Sequence, residues 1–465
     1  MSIKIIEYFT IKIITTGFVI AILSSGAMYL DWLGFVNHFV NTILGILMLY
    51  WLLQSDKKVW FWGGFWIGGL WFWWMSVSFF NYGFAWAIPL GVLFPSLVYG
   101  FVFWIIAKIA EIIGQKIEGQ THGSAPTVLV IKALALLALS YLHPLGFDWF
   151  KPELIFTNSY LGIEKWQFAI VLFAISMTIY KQGQPRGARL KPSVPYMQSI
   201  CSESACLHPN YLSQRKLNPL LYLLLIILAY PFSSHFDKRP LPKSGIVLSN
   251  SMTTVEDKWK PELQPLHVDM VFKKIDRAIA EKKGLIIFPE SIFAFYLNTQ
   301  PNLMTLLQGY SNEIAIVIGG LYWDDGIPRN STYIFKDGKF SIANKAVLVP
   351  FGEQNPLPKW MGKIVNEIFF DGAPDYVASD DVTDYSINGI TYRNAICYEG
   401  SSEKLYKGDP KQMILISNNG WVTPSIEPTQ QKILLQYYSK KYGTTIYHSA
   451  NMSASYTVHN GEVIK

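Results

Sequence analysis

Apolar runs about as long as a bilayer is thick follow one another through the first half of this chain, and no other feature limits its fold as strongly. A helix crossing a hydrocarbon core needs about 20 apolar residues. Thr10–Leu30, Val36–Leu53, Trp60–Phe80, Ala85–Ile113, Pro126–Leu142 and Tyr160–Tyr180 approach that length. Leu217–Phe232, with its apolar core at Pro219–Ala229, makes a seventh expected span. Over all 465 residues, hydrophobic side chains make up 51% and charged ones 15%, against roughly 25% charged in an ordinary soluble domain. That excess lies in residues 1–235, whereas 243–465 has the charge and turn residues of a water-soluble fold. Two domains are expected, a polytopic transmembrane domain over 1–235 and a soluble domain over 243–465.

Charges flanking the runs give the expected orientation. Lys4 and Lys12, then Lys57 and Lys58, then Lys108 and Lys116, and finally the basic loop 181–216 fall on one side. Asp31, the Asn81-Tyr82-Gly83 turn and a loop with His143, Asp148, Lys151 and Glu153 fall on the other. Positive loops stay in the cytoplasm, so an odd number of spans places residues from 235 onward outside it. The net charge of +6 is therefore a membrane signature; there is no nucleic-acid-binding motif, no phosphate-binding glycine loop and no His/Cys cluster with metal spacing. No nucleic-acid partner, metal or cofactor is expected. Cys201 and Cys206 lie four residues apart in the basic loop without the spacing of a zinc site, and three cysteines do not make a disulfide framework. No small-residue cleavage site follows the first run, so a cleaved leader is not expected. The Trp/Phe-rich stretch 60–74 reads as helix packing with an interfacial belt, and Glu164-Lys165 as a helix end reaching water.

In the second half, continuously apolar strands alternate with helical segments. Strands are expected at 244–250, Leu285–Phe288, Ile314–Ile318 (ending at Gly319-Gly320), Val347–Val349, Ile390–Ile396, Met413–Ile416 and Thr445–Ser449. Helices are expected at Val268–Lys282, Leu303–Tyr310 and Pro428–Tyr442. Asp337-Gly338 and Asn460-Gly461 mark hairpins. Such alternation gives an α/β layered domain with its sheets covered by helices.

Three strand ends carry chemistry. Leu285–Phe288 runs through Pro289 into Glu290, Asn344-Lys345 precedes an apolar run closed by Glu353, and Ile390–Ile396 delivers Cys397 followed by Tyr398 and Glu399. A thiol attacks an acyl carbon as a thiolate, so it needs a base or a positive field nearby. Glu290 can take the proton. Lys345 can stabilise an oxyanion and favour the thiolate, and the backbone N–H of Tyr398 is a second candidate donor. Glu353 and Glu399 can hold Lys345 and order the loop. Singly, each has a bland explanation: a cysteine after a strand packs in a core, and Pro-Glu makes a turn. Together, in this chain order, they form the Glu–Lys–Cys pattern of the nitrilase superfamily.

Behind about seven spans, Phe288-Pro289-Glu290, Asn344-Lys345, Val349-Pro350-Phe351-Gly352-Glu353, Ile396-Cys397-Tyr398-Glu399 and Ile416-Ser417-Asn418-Asn419-Gly420-Trp421 together resemble the apolipoprotein N-acyltransferase family over nearly the whole chain. The resemblance implies a polytopic α-helical membrane domain followed by a nitrilase-like αββα sandwich facing the periplasm from the inner membrane. It implies Glu290 as general base, Lys345 as electrostatic stabiliser and Cys397 as nucleophile, with Glu353, Tyr398, Glu399, Asn418 and Trp421 supporting and Trp259 in a substrate-contacting loop. It further implies a phospholipid acyl donor, such as phosphatidylethanolamine, and diacylglyceryl apolipoproteins as acceptors. Two departures stand out. Val422-Thr423-Pro424 and Gln430-Gln431 occupy places where Phe-Gly and a Gln-His pair are expected. The last residue, Lys465, falls before the closing span the resemblance implies, so the catalytic domain is expected to be C-terminally short. Two other readings fit less well: a membrane-tethered nitrilase-type amidase needs no polytopic anchor, and a transporter or receptor with a ligand-binding domain needs no Glu–Lys–Cys set.

Overall fold

A computed structural model describes residues 7–118, 126–183, 222, 224–231, 245–350, 352–354, 360, 362–363, 367 and 376–464. The basic loop beyond Gly183, with Cys201 and Cys206, lies outside the described residues, as does most of the expected seventh span; of that span, Leu225–Ala229 forms a 3-10 helix.

The first half is helical: α1 (Ile11–Trp32), α2 (His38–Gln54), α3 (Lys57–Phe72), α4 (Ile88–Glu118), α5 (Pro126–Leu139) and α6 (Lys165–Gly183). The α1 helix and the stretch Ala85–Ile117 are long and apolar enough to cross a membrane, and α2 and α5 are shorter apolar helices. Polar side chains start two of them. Asn37 accepts from the amides of Phe39 and Val40, and Asp56 from those of Lys58 and Val59. The α3 and α4 helices touch through small residues: a Cβ on Gly64 or Gly68 would come within 2.5 Å of the carbonyl oxygen of Tyr99 or Pro95.

The third, fifth and sixth expected spans are shorter than their apolar runs, the fifth ending at Leu139. The third stops at Phe72, after which a 3-10 turn (Trp73–Ser76) and a short helix (Val77–Asn81) carry the chain sideways. Here the aromatic residues serve the interior: Trp60, Trp71, Phe72 and Trp74 are buried, and the Trp74 indole donates to Gln430 of the second half at 2.9 Å. The sixth begins at Lys165, because the Gln167 side chain takes the amide of Glu164 and caps the helix there. Lys165 meets the buried Glu153 at 2.6 Å, which agrees with a helix end.

The second half is an αββα sandwich. One sheet runs in the order β1 (Ile246–Leu248), β2 (Leu285–Ile287), β4 (Ala315–Asp324), β5 (Ile327–Lys336) and β6 (Lys339–Asn344), with β3 (Phe293–Tyr296) paired to β4 off that path. The other runs β12 (Glu462–Ile464), β11 (Tyr456–His459), β10 (Thr445–Asn451), β9 (Gln412–Asn418), β8 (Ile390–Ile396) and β7 (Asp384–Ile387). The strands β1, β2 and β4 are parallel, as are β8, β9 and β10. The period of two sorts the side chains of β2. Leu285 and Ile287 face the other sheet and pack with Ile396, Ile414 and Ile416, while Ile286 and Phe288 face α7 (Gln264–Ala280) and α8 (Pro301–Tyr310). On the far side, α9 (Glu427–Tyr442) covers the second sheet, and its cluster continues without a break into the helical half.

Two expectations about strands are corrected. Gly319-Gly320 does not end β4, which runs through both. A Cβ on Gly319 would stand 2.6 Å from the Cα of Glu290, so the glycine lets the turn after β2 lie directly on β4. Val347–Val349 is not a strand. Its amides are taken by carboxylates rather than by a ladder: Val347 N donates to Glu399 Oε1 at 2.8 Å and Val349 N to Glu353 Oε2 at 2.9 Å. β3 and β7 are strands that the sequence pattern did not announce.

Candidate active site

The site sits at the carboxyl ends of the parallel strands. Glu290 follows β2, Cys397 follows β8, and Lys345 follows the antiparallel β6, whose end is brought alongside. β8 pairs with β9 so that Ile396 opposes Ile416, which sets Asn418–Trp421 beside the Cys397 turn.

Lys345 is 1% exposed. Its Nζ stands 2.7 Å from Glu353 Oε2 and 3.7 Å from Glu290 Oε1. Burial opposes its charge, but Glu353, Glu290 and Cys397 outweigh that, and its pKa moves upward. The lysine is a fixed cation between two carboxylates. Asn330, on β5, joins them from the other side: its Nδ2 lies 2.7 Å from Glu290 Oε1 and 2.9 Å from Glu353 Oε1. No motif announces Asn330; only the strand register brings it here. Lys258 was also missed. It is buried, donates to the Glu290 carbonyl at 3.3 Å, and is pulled down to about 8 by burial against the opposing pull of Glu290.

Cys397 has φ +55°, a left-handed conformation for a residue with a side chain, which costs about 1–3 kcal/mol and must be held by its surroundings. Glu399 holds it. Fully buried, its carboxylate accepts from Ile396 N at 2.8 Å, Ala346 N at 2.5 Å and Val347 N at 2.8 Å, tying the Cys397 turn to the Lys345 segment. Burial pushes the Glu399 carboxyl up to about 7, against the pull of Lys345 and these amides. The thiol is partly exposed as a residue, yet burial and Glu290 raise it well above the usual cysteine range, and Lys345 only partly offsets them. That direction favours the protonated thiol over the thiolate in the resting site.

The remaining expected residues divide. Glu353 belongs to the charged network. Asn418 Oδ1 accepts from Gly420 N at 3.3 Å and from Asn451 Nδ2 at 2.8 Å, fixing the loop after β9. Trp421 stacks on Tyr82 of the helical half, centroids 5.0 Å apart, and its carbonyl accepts from Asn81. The side chain of Tyr398 turns away from the triad: its hydroxyl donates to Asp148 at 2.9 Å and its ring stacks on Phe147 and Trp149. Trp259, 39% exposed, follows Lys258 directly and presents its ring outward.

A thiol beside a carboxylate–lysine pair on an αββα sandwich, carried by apolar helices, has the architecture of a membrane-bound acyl-transfer enzyme. A family model described as the apolipoprotein N-acyltransferase integral membrane domain matches residues 10–191. The chain is 35% identical over 438 residues to the apolipoprotein N-acyltransferase of Wolinella succinogenes, covering 94% of this chain and 93% of that protein. It is 33% identical over 427 residues to that of Helicobacter hepaticus, covering 90% and 93%. Among solved structures, a CN-hydrolase superfamily protein from Xanthomonas campestris is similar at 13% identity with a TM-score of 0.36, over 47% of this chain and 84% of that one. The chain belongs to the apolipoprotein N-acyltransferase family. It is a membrane protein and an acyltransferase.

Proposed function

We propose that the chain N-acylates the N-terminal diacylglyceryl-cysteine of apolipoproteins in two steps through a thioester on Cys397. In the first, Cys397 attacks an ester carbonyl of a phospholipid while Glu290 takes the thiol proton. Lys345 and the N–H of Tyr398 face the oxyanion, and Glu290 returns the proton to the leaving lysophospholipid. In the second, the acceptor's α-amine attacks the thioester and the thiol is restored. Phosphatidylethanolamine, attacked at sn-1, is the donor the family resemblance suggests. The proposed organisation is a multi-pass domain over 1–235 in the inner membrane and a catalytic domain over 243–465 in the periplasm, in keeping with the positive loops.

One observation carries this reading: Glu290, Lys345, Glu353 and Asn330 form a single buried network at the strand ends that also carry Cys397, and both Glu290 and Lys345 act on its thiol. Intact-protein mass spectrometry after incubation with phosphatidylethanolamine tests it. A fatty-acyl mass that hydroxylamine removes, absent in Cys397→Ala and Glu290→Gln, is the expected outcome. Acylation that persists in Cys397→Ala sinks the thioester.

A further inference from the structure

At the start of α9, two polar side chains are buried without partners. Glu427 is 4% exposed, and its Oε2 has no hydrogen-bonding partner. Gln431 is fully buried, and neither its Nε2 nor its Oε1 has one. Among the described residues no cation lies within ion-pair distance of Glu427; its backbone amide alone is engaged, on Ser425 Oγ at 3.1 Å. Residues four apart share one face of a helix, so both side chains lie on one face of α9. That helix packs on the Cys397–Ser401 turn, and Glu427 is near enough to Cys397 to raise its thiol and near enough to Glu290 to be raised in turn. The neighbouring Gln430 differs, since its Oε1 receives the Trp74 indole and only its Nε2 lacks a partner.

Buried polar atoms without partners are rare and call for a ligand or a function. Three of them, two being acceptor oxygens, on the helix that packs against the Cys397 turn suit a primary ammonium, which brings N–H donors and a positive charge. Resting on the thioester reading, we propose that Glu427 and Gln431 form the acceptor subsite, binding the α-ammonium of the incoming lipopeptide and presenting it to the acyl-Cys397 thioester as the free amine. As the ammonium binds, the Glu427 carboxyl gives its proton to water and pairs with it as the carboxylate; the ammonium then passes one proton back to Glu427. The amine nitrogen attacks the thioester carbon, the C–N bond forms and the C–S bond breaks. The second amine proton passes through Glu290 to the sulfur, leaving amide and thiol, with Glu427 protonated as at the start. The low dielectric around Glu427 helps, because it narrows the gap between the carboxylate–ammonium pair and the neutral carboxyl–amine pair that can react.

An ethanolamine headgroup also carries a primary ammonium, so the test separates the two sources. Full-length protein and its Glu427→Gln variant are charged with phosphatidylethanolamine or with phosphatidylglycerol. They are then discharged with a diacylglyceryl-cysteinyl peptide or with hydroxylamine, and acyl mass is followed on the intact protein. Charging from either donor should stay within about threefold of the unaltered protein, and hydroxylamine discharge should be unchanged. Peptide discharge should fall about tenfold or more, the scale of one charge-assisted hydrogen bond. Gln431→Leu should show a smaller loss confined to the same step. Unchanged peptide discharge, equal loss for peptide and hydroxylamine, or loss of charging overturns the proposal. A charging defect seen with phosphatidylethanolamine alone assigns the subsite to the headgroup and overturns it too. If the unaltered protein never gains acyl mass, the thioester reading fails first and this one falls with it.

Discussion

Glu399 offers a prediction whose size follows from geometry. Its two oxygens receive three backbone N–H groups, from Ile396 on the strand that ends at Cys397 and from Ala346 and Val347 beside the lysine. In Glu399→Gln, compared above about pH 7 where the carboxyl is ionised, the charge is gone and a single oxygen remains. Turned toward Ala346 and Val347, that oxygen keeps two weakened bonds and sets the amide NH2 against the Ile396 N–H. Losing one charge-assisted bond of about 1.5–3 kcal/mol and weakening two others by roughly 1 kcal/mol each gives about 3.5–5 kcal/mol. Spent locally, this lets the strained Cys397 turn relax, and at about 1.4 kcal/mol per factor of ten the fraction in attacking geometry falls at least about 100-fold. Single-turnover acylation of Cys397 should slow by that factor at saturating phospholipid, with apparent donor affinity little changed. Hydrogen exchange should accelerate at Ile396, Ala346 and Val347. Acylation within about threefold of the unaltered rate, with exchange at these amides unmoved, would refute the reasoning.

Lys345→Met leaves Glu290 and Glu353 buried and facing each other without their cation; breaking a buried pair in this way costs about 3–5 kcal/mol, so a thermal shift in detergent should report marked destabilisation alongside lost acylation. A merely catalytic lysine would leave the melting temperature in place. Gly319→Ala brings a Cβ to 2.6 Å from the Glu290 Cα, so acylation should fall while the helical half keeps its far-ultraviolet helix signal, and full activity would show that the turn can move. Stability should also depend on pH. Burial raises Glu399 to about 7 and Glu427 to about 8. In both, the folded state holds its proton at pH values where the unfolded chain has released it. Their contribution is complete below the ordinary carboxyl range near pH 4.5 and is lost as pH rises through 7 to 8. The slope reaches about 1.4 kcal/mol per pH unit for each group, and a melting temperature that climbs over this window contradicts the assignment.

What could be read in advance follows the range of the interaction that encodes it. The strand Ile390–Ile396 and its Cys397 were legible because an apolar run ends abruptly in reactive residues, and Glu290 and Lys345 were found in the same way. Asn330 was not, since an isolated asparagine acquires meaning only when β5 pairs with β4 and β6 and aims it between two carboxylates. The Val347–Val349 stretch has the pattern of a buried strand and was misread. Its amides are claimed by Glu399 and Glu353, a side-chain competition that periodicity does not contain. The third span was overextended for a related reason. Its aromatic run stays apolar past Phe72, but Trp74 seeks Gln430, 356 residues away, and the helix ends to let it.

The same long-range contacts explain why this site comes with a helical half. The loop 143–164 lies against the nucleophile's turn: Trp149 donates to Ser401 at 2.6 Å, Tyr398 to Asp148 at 2.9 Å, and Tyr437 of α9 to Glu153 at 3.1 Å. Lys432 pairs with Asp31 at 2.6 Å, and one apolar cluster runs from α1 through Phe147 and Trp149 to Leu435 and Val458. Trp149, Tyr398 and Tyr437 are buried and bonded across that seam, so separating the halves would bare apolar area and strand several polar groups at once. In the outer layer of an αββα sandwich, α9 would ordinarily present one face to water. Here that face is covered by the helical half, and the turn carrying Cys397 is braced from both sides. The position of the thiol is thus set jointly by its own strand and by a loop of the helical half, so the two halves of the chain hold Cys397 between them.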